Sequence, residues 1–578
     1  MRLLPQFFVL RSDDLPSENM FSGYYFTGND IYVDRPISGD SDTGEAEVMP
    51  RDLEGIYVAV EAQQGEVRIS WDYAGTVPIF LYRVPGFWAV SPSFHKLLAV
   101  ARARGDRLNL EQDLLQAWRI TGVVGQYPRN FQTAVSQVQI VPSYCHLVGT
   151  STSVTLVPRK KTASPDYRTA LNQYRTVTGH RFRTIARNRG KLVFDVTGGI
   201  DSRSILATAL EAFGRDEFLD LNREKRINLR TNRNNAIDFP IAMQIAREIG
   251  VDRLIHHRPW SRKNRDKSAD PDVDDPIDAM LQPVDPLAEL AILDRLAESN
   301  LGRRAKLGLD VGQAPMRLFA SSGVFGGNLK SPNENENTVD DGRRYLKKFA
   351  RQFDSAELHA RWVDRIIEDV KQVQEHTGGD NLPFWPLFNR EFAMRLHARE
   401  TLGSHRLYPL SSRHLVEAVN HLDAGYLAKN GVHHDLIQAG SPTLYKIAYD
   451  KDYKTPHKGF RPVDLPEIGT RTQGQILAKR YEERHQDNTG LLAFDDLPVY
   501  RVARARALEL VHRPDVRAFI GEAYCQKVID IVSDFSEENM IRLPESRLSL
   551  LHGPLFAEML LELGLSPAGE NESHADPV

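Results

Sequence analysis

Residues 191–210, KLVFDVTGGIDSRSILATAL, constrain the fold more than any other stretch of this 578-residue chain. Leu192, Val193, Phe194 and Val196 form a short apolar run, the pattern of a strand buried on both faces. Thr197, Gly198, Gly199, Ile200, Asp201, Ser202 and Arg203 follow, and Ile205, Leu206, Ala209 and Leu210 then recur at helical spacing. The order is strand, glycine turn, helix. Such a unit is an anion cradle: two glycines let the backbone turn sharply and approach a ligand, while the helix offers N–H groups and a positive dipole end. Thr197 and Ser202 add hydroxyls, and Arg203 adds a charge that can pair with phosphate oxygens. A bare Gly-Gly after a strand can equally be a tight connection with no ligand. Here the hydroxyls, the acid and the arginine at fixed positions favour a phosphate or pyrophosphate site. The stretch is neither a Walker loop, which needs GxxxxGK[ST], nor a dinucleotide fingerprint, which needs GxGxxG.

At Thr197-Gly198-Gly199-Ile200-Asp201-Ser202 the chain resembles the pyrophosphate-releasing ATPases whose loop reads SGGxDS, and within them the synthetase domains of the asparagine synthetase family. Thr197 replaces the first serine and keeps its hydroxyl. The resemblance implies that this loop holds the β- and γ-phosphates of ATP, which leave as pyrophosphate when a carboxylate attacks the α-phosphorus.

A chain of this length exceeds one core, so two or three domains are expected. A hydrophobic content of 41% and a charged content of 26% are ordinary for globular protein. A net charge of −4 gives no electrostatic case for binding nucleic acid or an anionic membrane. Cys145 and Cys525 lie far apart, so neither a disulfide framework nor a cysteine zinc site is expected. The first residues are too interrupted for a signal peptide, and no run of about 18 apolar residues occurs. The expectation is a cytoplasmic protein.

Residues 1–158 read as an antiparallel, β-rich domain. Its apolar segments cover residues 55–60, 66–71, 78–82 and 86–90, and a short helix runs from about Ser93 through Leu98. Asp72, Gly75 and Pro78, with Trp88-Ala89-Val90-Ser91 and Lys96-Leu97-Leu98, resemble the glutaminase domain of the same family. That domain's nucleophile is a cysteine exposed once Met1 is removed. Position 2 here is Arg2, and a guanidinium that is always protonated cannot serve. The domain reads as a degenerate glutaminase-like scaffold (an Ntn-like α+β fold) without its chemistry.

After residues 148–166, which close the first domain and contain the linker, a helix over 167–187 leads into the central strand. A strand near 226–229, a helix from Asp238 to Gly250 and a strand near 253–257 give a β-α-β-α-β order. That order predicts a doubly wound parallel sheet with nucleotide at the strands' C-terminal ends. Asp238 reads either as the N-cap of its helix or, by the resemblance, as a nucleotide-holding residue. Residues 321–328, SSGVFGGN, resemble in position the family's SGEGADELFGGY segment; the glycines, Gly323 among them, remain, and the Asp-Glu pair does not. Residues 355–440 read as helical, and the string from Ala398 to Asn420 resembles the family's acceptor-pocket segment. The DYKTPHKGF stretch supplies Lys454 and Lys458, of which Lys458 is the preferred match to the family's basic loop at the reacting phosphate.

The resemblance implies an ATP pyrophosphatase domain over 165–564, followed by a disordered tail at 565–578. It implies ATP, with Mg2+ bridging the phosphates and Asp201 as the protein's ligand. Asp201, Arg203 and Lys458 are the expected catalytic residues; Thr197, Gly198, Gly199, Asp201, Ser202, Asp238 and Gly323 are expected to bind the nucleotide. The acceptor would be a small-molecule, glycan or peptide carboxylate. The amine would come from ammonia, a partner subunit or the substrate itself. A nucleotide-binding scaffold without turnover stands as the alternative.

Overall fold

The computed structural model describes residues 2–3, 8–33, 53–92, 94–117, 120, 130–159, 164–188, 191–232, 237–251, 254–257, 317–320, 339–377, 405–468, 474–478, 506–533, 550, 552–562 and 564–565. The chain is mixed α/β. Its N-terminal part forms two facing β-sheets, mostly antiparallel, of eight and four strands. The period-2 segments become the strands Gly55–Gln63, Glu66–Trp71, Phe80–Val84 and Phe87–Ser91. Inward-facing Val58, Val60, Ile69 and Trp71 of one sheet pack on Leu81 and Trp88 of the other. The short helix is Phe94–Ala103.

The D-x-x-G-x-x-P stretch forms a turn. Gly75 has φ +64 and donates to Asp72 O, and the buried Asp72 carboxylate accepts from Thr76 N and Thr76 Oγ1. Glycine is needed there because that backbone region disfavours a side chain.

A third sheet has five strands in the order Leu254–His257, Ile227–Asn232, Lys191–Asp195, Arg317–Ala320, His405–Leu407, and every pairing is parallel. Lys191–Asp195 is central: the next two strands in sequence extend the sheet to one side, the last two to the other. The helix Tyr167–Arg187 precedes it, begun by Asp166, whose carboxylate accepts from Thr169 N. The helix Ile200–Phe213 leaves it, apolar on nearly every side because it packs between Tyr167–Arg187 and Gly431–Gly440. Approach to the latter is close: a methyl at Gly440 would lie 2.3 Å from Ala207 O.

Residues 405–407 make a strand inside a stretch expected to be helical; Ala356–Thr377, Arg413–Val419, Ala424–Ala428 and Gly431–Gly440 are helices. The two parts share one apolar core, in which Phe80 and Phe94 join Phe182, Phe194 and Leu206. Ile476–Ala478, far along the chain, adds a strand to the N-terminal sheet by pairing with Asp30–Val33. Among the described residues no helix is long and apolar enough to cross a membrane. Gly323, the second glycine-rich loop, residues 261–289 and the tail from 566 onward lie outside the described residues.

Candidate functional site

The glycine loop stands at the C-terminal end of the central strand, where strand order reverses, the place at which open parallel sheets leave a crevice. Thr197 Oγ1 lies 2.8 Å from Ser202 Oγ and accepts from Gly199 N at 3.0 Å. Gly199 occupies the N-cap position of Ile200–Phe213 with φ −72 and ψ 156 and gives no side-chain cap. The first turn of that helix therefore carries N–H groups for which the helix has no acceptor.

Neither Gly198 nor Gly199 has a positive φ. Their absent side chains matter for space instead. A Cβ on Gly198 would lie 2.8 Å from both Asp450 Cβ and Ile241 Cδ1 and 3.0 Å from Asp238 Oδ1. A Cβ on Gly199 would lie 3.1 Å from Thr197 Oγ1 and 3.7 Å from Lys454 Nζ.

Those neighbours complete the site. Asp238 is not the cap of its helix: the N-cap position is Ile237, and Asp238 Oδ1 accepts from Gly198 N at 2.8 Å. The helix Asp238–Ile249 is thereby tied to the loop, and Gly250, with φ 89, ends it as expected. From the far side, Asp450 N donates to Gly198 O at 3.1 Å. Lys454 Nζ donates to Asp450 Oδ2 at 2.8 Å and Oδ1 at 3.0 Å. Lys454 thus stands beside the loop in the position expected of Lys458, which is exposed in the turn closed by Phe460 N to His457 O.

Arg203 requires a correction. Helical geometry turns it away from the cradle, and it is 1% exposed. Its guanidinium donates to Leu444 O, Ile447 O and Ala448 O and stacks 3.8 Å over the Tyr449 ring. Burial, the largest influence, lowers its pKa. With its donors on carbonyls, Arg203 anchors residues 444–449, the approach to Asp450 and Lys454.

Asp201 lies in the first turn of the cradle helix with its side chain 25% exposed. His433 Nε2 is 3.1 Å from Asp201 Oδ1, and His433 Nδ1 is 2.9 Å from Ser204 Oγ. Sequence reasoning did not single out His433, and of Lys454 and Lys458 it preferred Lys458, whereas the lysine beside the loop is Lys454. The only local signal for His433 was a His-His pair at 433–434 among residues spaced for a buried helix face.

Asp201, Asp238 and Asp450 against Lys454 make the loop's surroundings net acidic. A bare polyphosphate would be repelled, whereas its complex with a divalent cation would not. Among the described residues no three His, Cys, Asp or Glu side chains gather as a metal site. Magnesium takes one or two carboxylates and fills its remaining positions with water and substrate phosphates. Asp201, a partly exposed carboxylate at the loop, has the right donor chemistry. No family model matches the chain, and no curated protein matches it.

Proposed function

We propose that this chain is an ATP-dependent, AMP-forming amide ligase of the asparagine synthetase-like kind, with a doubly wound ATP pyrophosphatase core and a glutaminase-like domain that has lost its nucleophile. The observation that carries the reading is the TGGIDS loop at the strand-order reversal, with Lys454 brought beside Gly199 from 255 positions further along. A local turn does not recruit a distant cation and two distant carboxylates.

In the proposed reaction a substrate carboxylate oxygen attacks the α-phosphorus of ATP, and the bond to the bridging oxygen of the β-phosphate breaks. Pyrophosphate leaves and an acyl-adenylate remains. An amine nitrogen then attacks the acyl carbon, AMP leaves with the bonding pair, and the nitrogen loses a proton. The helix first turn and the Thr197 and Ser202 hydroxyls stabilise charge developing on the leaving pyrophosphate, and Lys454 neutralises the reacting phosphate. Gly198 and Gly199 keep the backbone close to the phosphates, and Asp238 holds the loop in shape. Magnesium, when bound through Asp201, spreads charge across the phosphate oxygens. The acceptor is a small-molecule, glycan or peptide carboxylate; the nitrogen comes from ammonia, another subunit or the substrate.

The deciding experiment is pyrophosphate release from Mg-ATP across a panel of carboxylates with ammonia, comparing wild type with Asp201→Ala. Acceptor-dependent release that the substitution abolishes supports the ligase. One observation favours a second reading, a nucleotide-binding scaffold: Gly198 N is already bonded to Asp238, and the Thr197 and Ser202 hydroxyls face each other. ATP binding without release for any acceptor would select that reading.

A further inference from the structure

We infer that Asp450 is a specificity-determining residue of the phosphate site: its carboxylate neutralises Lys454, so that the loop admits a polyphosphate as its divalent-cation complex in preference to the bare anion. The inference rests on the nucleotide-site reading above. Of the charged side chains between 450 and 458, Lys451, Asp452, His457 and Lys458 are exposed, whereas Asp450 and Lys454 keep only 12% and 13% of their side-chain surface. The pair is turned inward, onto the loop. Asp450 N donates to Gly198 O at 3.1 Å, and a Cβ on Gly198 would lie 2.8 Å from Asp450 Cβ. The Lys454 end is fixed as well. Asn430, in the left-handed conformation at φ 56, donates from Nδ2 to Tyr453 O at 3.1 Å, and Lys454 N donates to Lys451 O at 3.0 Å.

Both Asp450 oxygens take the Lys454 ammonium, at 2.8 and 3.0 Å. An ammonium has three N–H donors, so one remains for a phosphate oxygen. The charge, however, is cancelled before any ligand arrives. An exposed pair would be screened by salt; this one is largely withdrawn from water, where charge interactions persist. An isolated Lys454 would draw in a polyphosphate whether or not a cation accompanied it. Paired with Asp450, and with the Asp201 and Asp238 carboxylates also at the loop, it leaves the surroundings net negative. Repulsion by one fixed carboxylate scales with the ligand's charge, and a divalent cation removes two of the roughly four negative charges of ATP. Asp450 therefore disfavours the free nucleotide about twice as strongly, in free energy, as the complex.

The test is equilibrium binding of ATP, with Mg2+ and with EDTA, to wild type, Asp450→Asn and Lys454→Gln, each checked for folding by circular dichroism. Asparagine keeps the packing on Gly198 and an oxygen toward Lys454 but carries no charge. Asp450→Asn is expected to tighten ATP in EDTA about tenfold and Mg-ATP about threefold or less, so that the preference for Mg-ATP falls. An unchanged or larger preference would overturn the inference, because a carboxylate that only shapes the segment does not distinguish the charges of the two ligands. Should Asp450→Asn fail to fold, Lys454→Gln decides. It leaves the carboxylate uncompensated, and the preference for Mg-ATP is expected to rise about threefold or more, with an unchanged or smaller preference overturning the role. Wild type that binds Mg-ATP but releases no pyrophosphate sinks the ligase and leaves the preference to decide for or against Asp450. Wild type that binds neither form overturns both.

Discussion

Asp72 shows how a single motif residue can carry structure. Its carboxylate is fully buried, and burial pushes its pKa up to about 6 despite the Thr76 bonds that favour the ionised form. The folded state therefore holds this proton more tightly than the unfolded chain, whose aspartates titrate near about 3.9. The stabilisation is complete below the unfolded value and is lost as pH rises through about 6. Asp72→Asn keeps an oxygen acceptor for Thr76 and cannot ionise. Measured by urea unfolding at pH 4 and pH 7, the stability difference between variant and wild type should move in the variant's favour by on the order of 2–3 kcal/mol across that interval. A difference independent of pH would show that folding leaves the Asp72 pKa unshifted. At this scale Gly198 teaches a related lesson: its type was legible, its reason was not. The glycine makes room for Asp450, Ile241 and Asp238 and has no unusual backbone conformation.

Among the elements, the segment leading from Pro442–Lys446 to Lys454 depends on Arg203. Three carbonyls converge on one planar guanidinium, a geometry that a lysine ammonium cannot match. Arg203→Lys should cost about 2–4 kcal/mol in denaturant unfolding. It should also weaken ATP binding, because Asp450 and Lys454 lose their anchor. Unaltered nucleotide affinity in a folded, destabilised variant would separate the anchor from the site. What could be read beforehand follows the range of the forces. The helix predicted over 167–187 is Tyr167–Arg187, because its apolar period and the Asp166 cap are local. The helix ending at Gly250 and the strand before Thr197 were legible for the same reason. The strand His405–Leu407 was not, since its three residues are extended by pairing with Arg317–Ala320. Arg203 pointed to phosphate in the sequence, but its position four after Gly199 puts it on the buried side of the helix. Lys454 and His433 reach the loop only through tertiary packing, which no spacing within their own segments encodes.

On the scale of the whole molecule, the boundary drawn near residue 158 divides the sequence but not the core. Glu54, from the N-terminal part, makes the point. Its carboxylate pairs with Arg181 of Tyr167–Arg187, accepts from Ser412 Oγ at 2.8 Å and takes Arg413 N at 2.6 Å. Burial opposes its ionisation, yet Arg181, His414 and Ser412 together outweigh burial and hold its pKa below the ordinary range. Arg181 in turn lies 4.3 Å from the Phe26 ring centroid, so the ion pair is enclosed by both parts of the chain. Removing one member of a buried pair leaves the other uncompensated and costs about 3–5 kcal/mol. Glu54→Ala should therefore destabilise the protein as a unit. Unfolding followed by tryptophan fluorescence in a background that keeps Trp71 and Trp88 of the N-terminal sheets and replaces the other four of the six tryptophans by phenylalanine should coincide with unfolding followed by far-ultraviolet circular dichroism, weighted to the helices of the second part. Both curves should shift together in the variant. The shared core and the strand Ile476–Ala478 on the N-terminal sheet demand this coupling. Two separated transitions in wild type, with only one moved by the substitution, would mean that the N-terminal part folds on its own. Coincident transitions would show that the parallel sheet carrying the glycine loop is built on the same core as the N-terminal sheets.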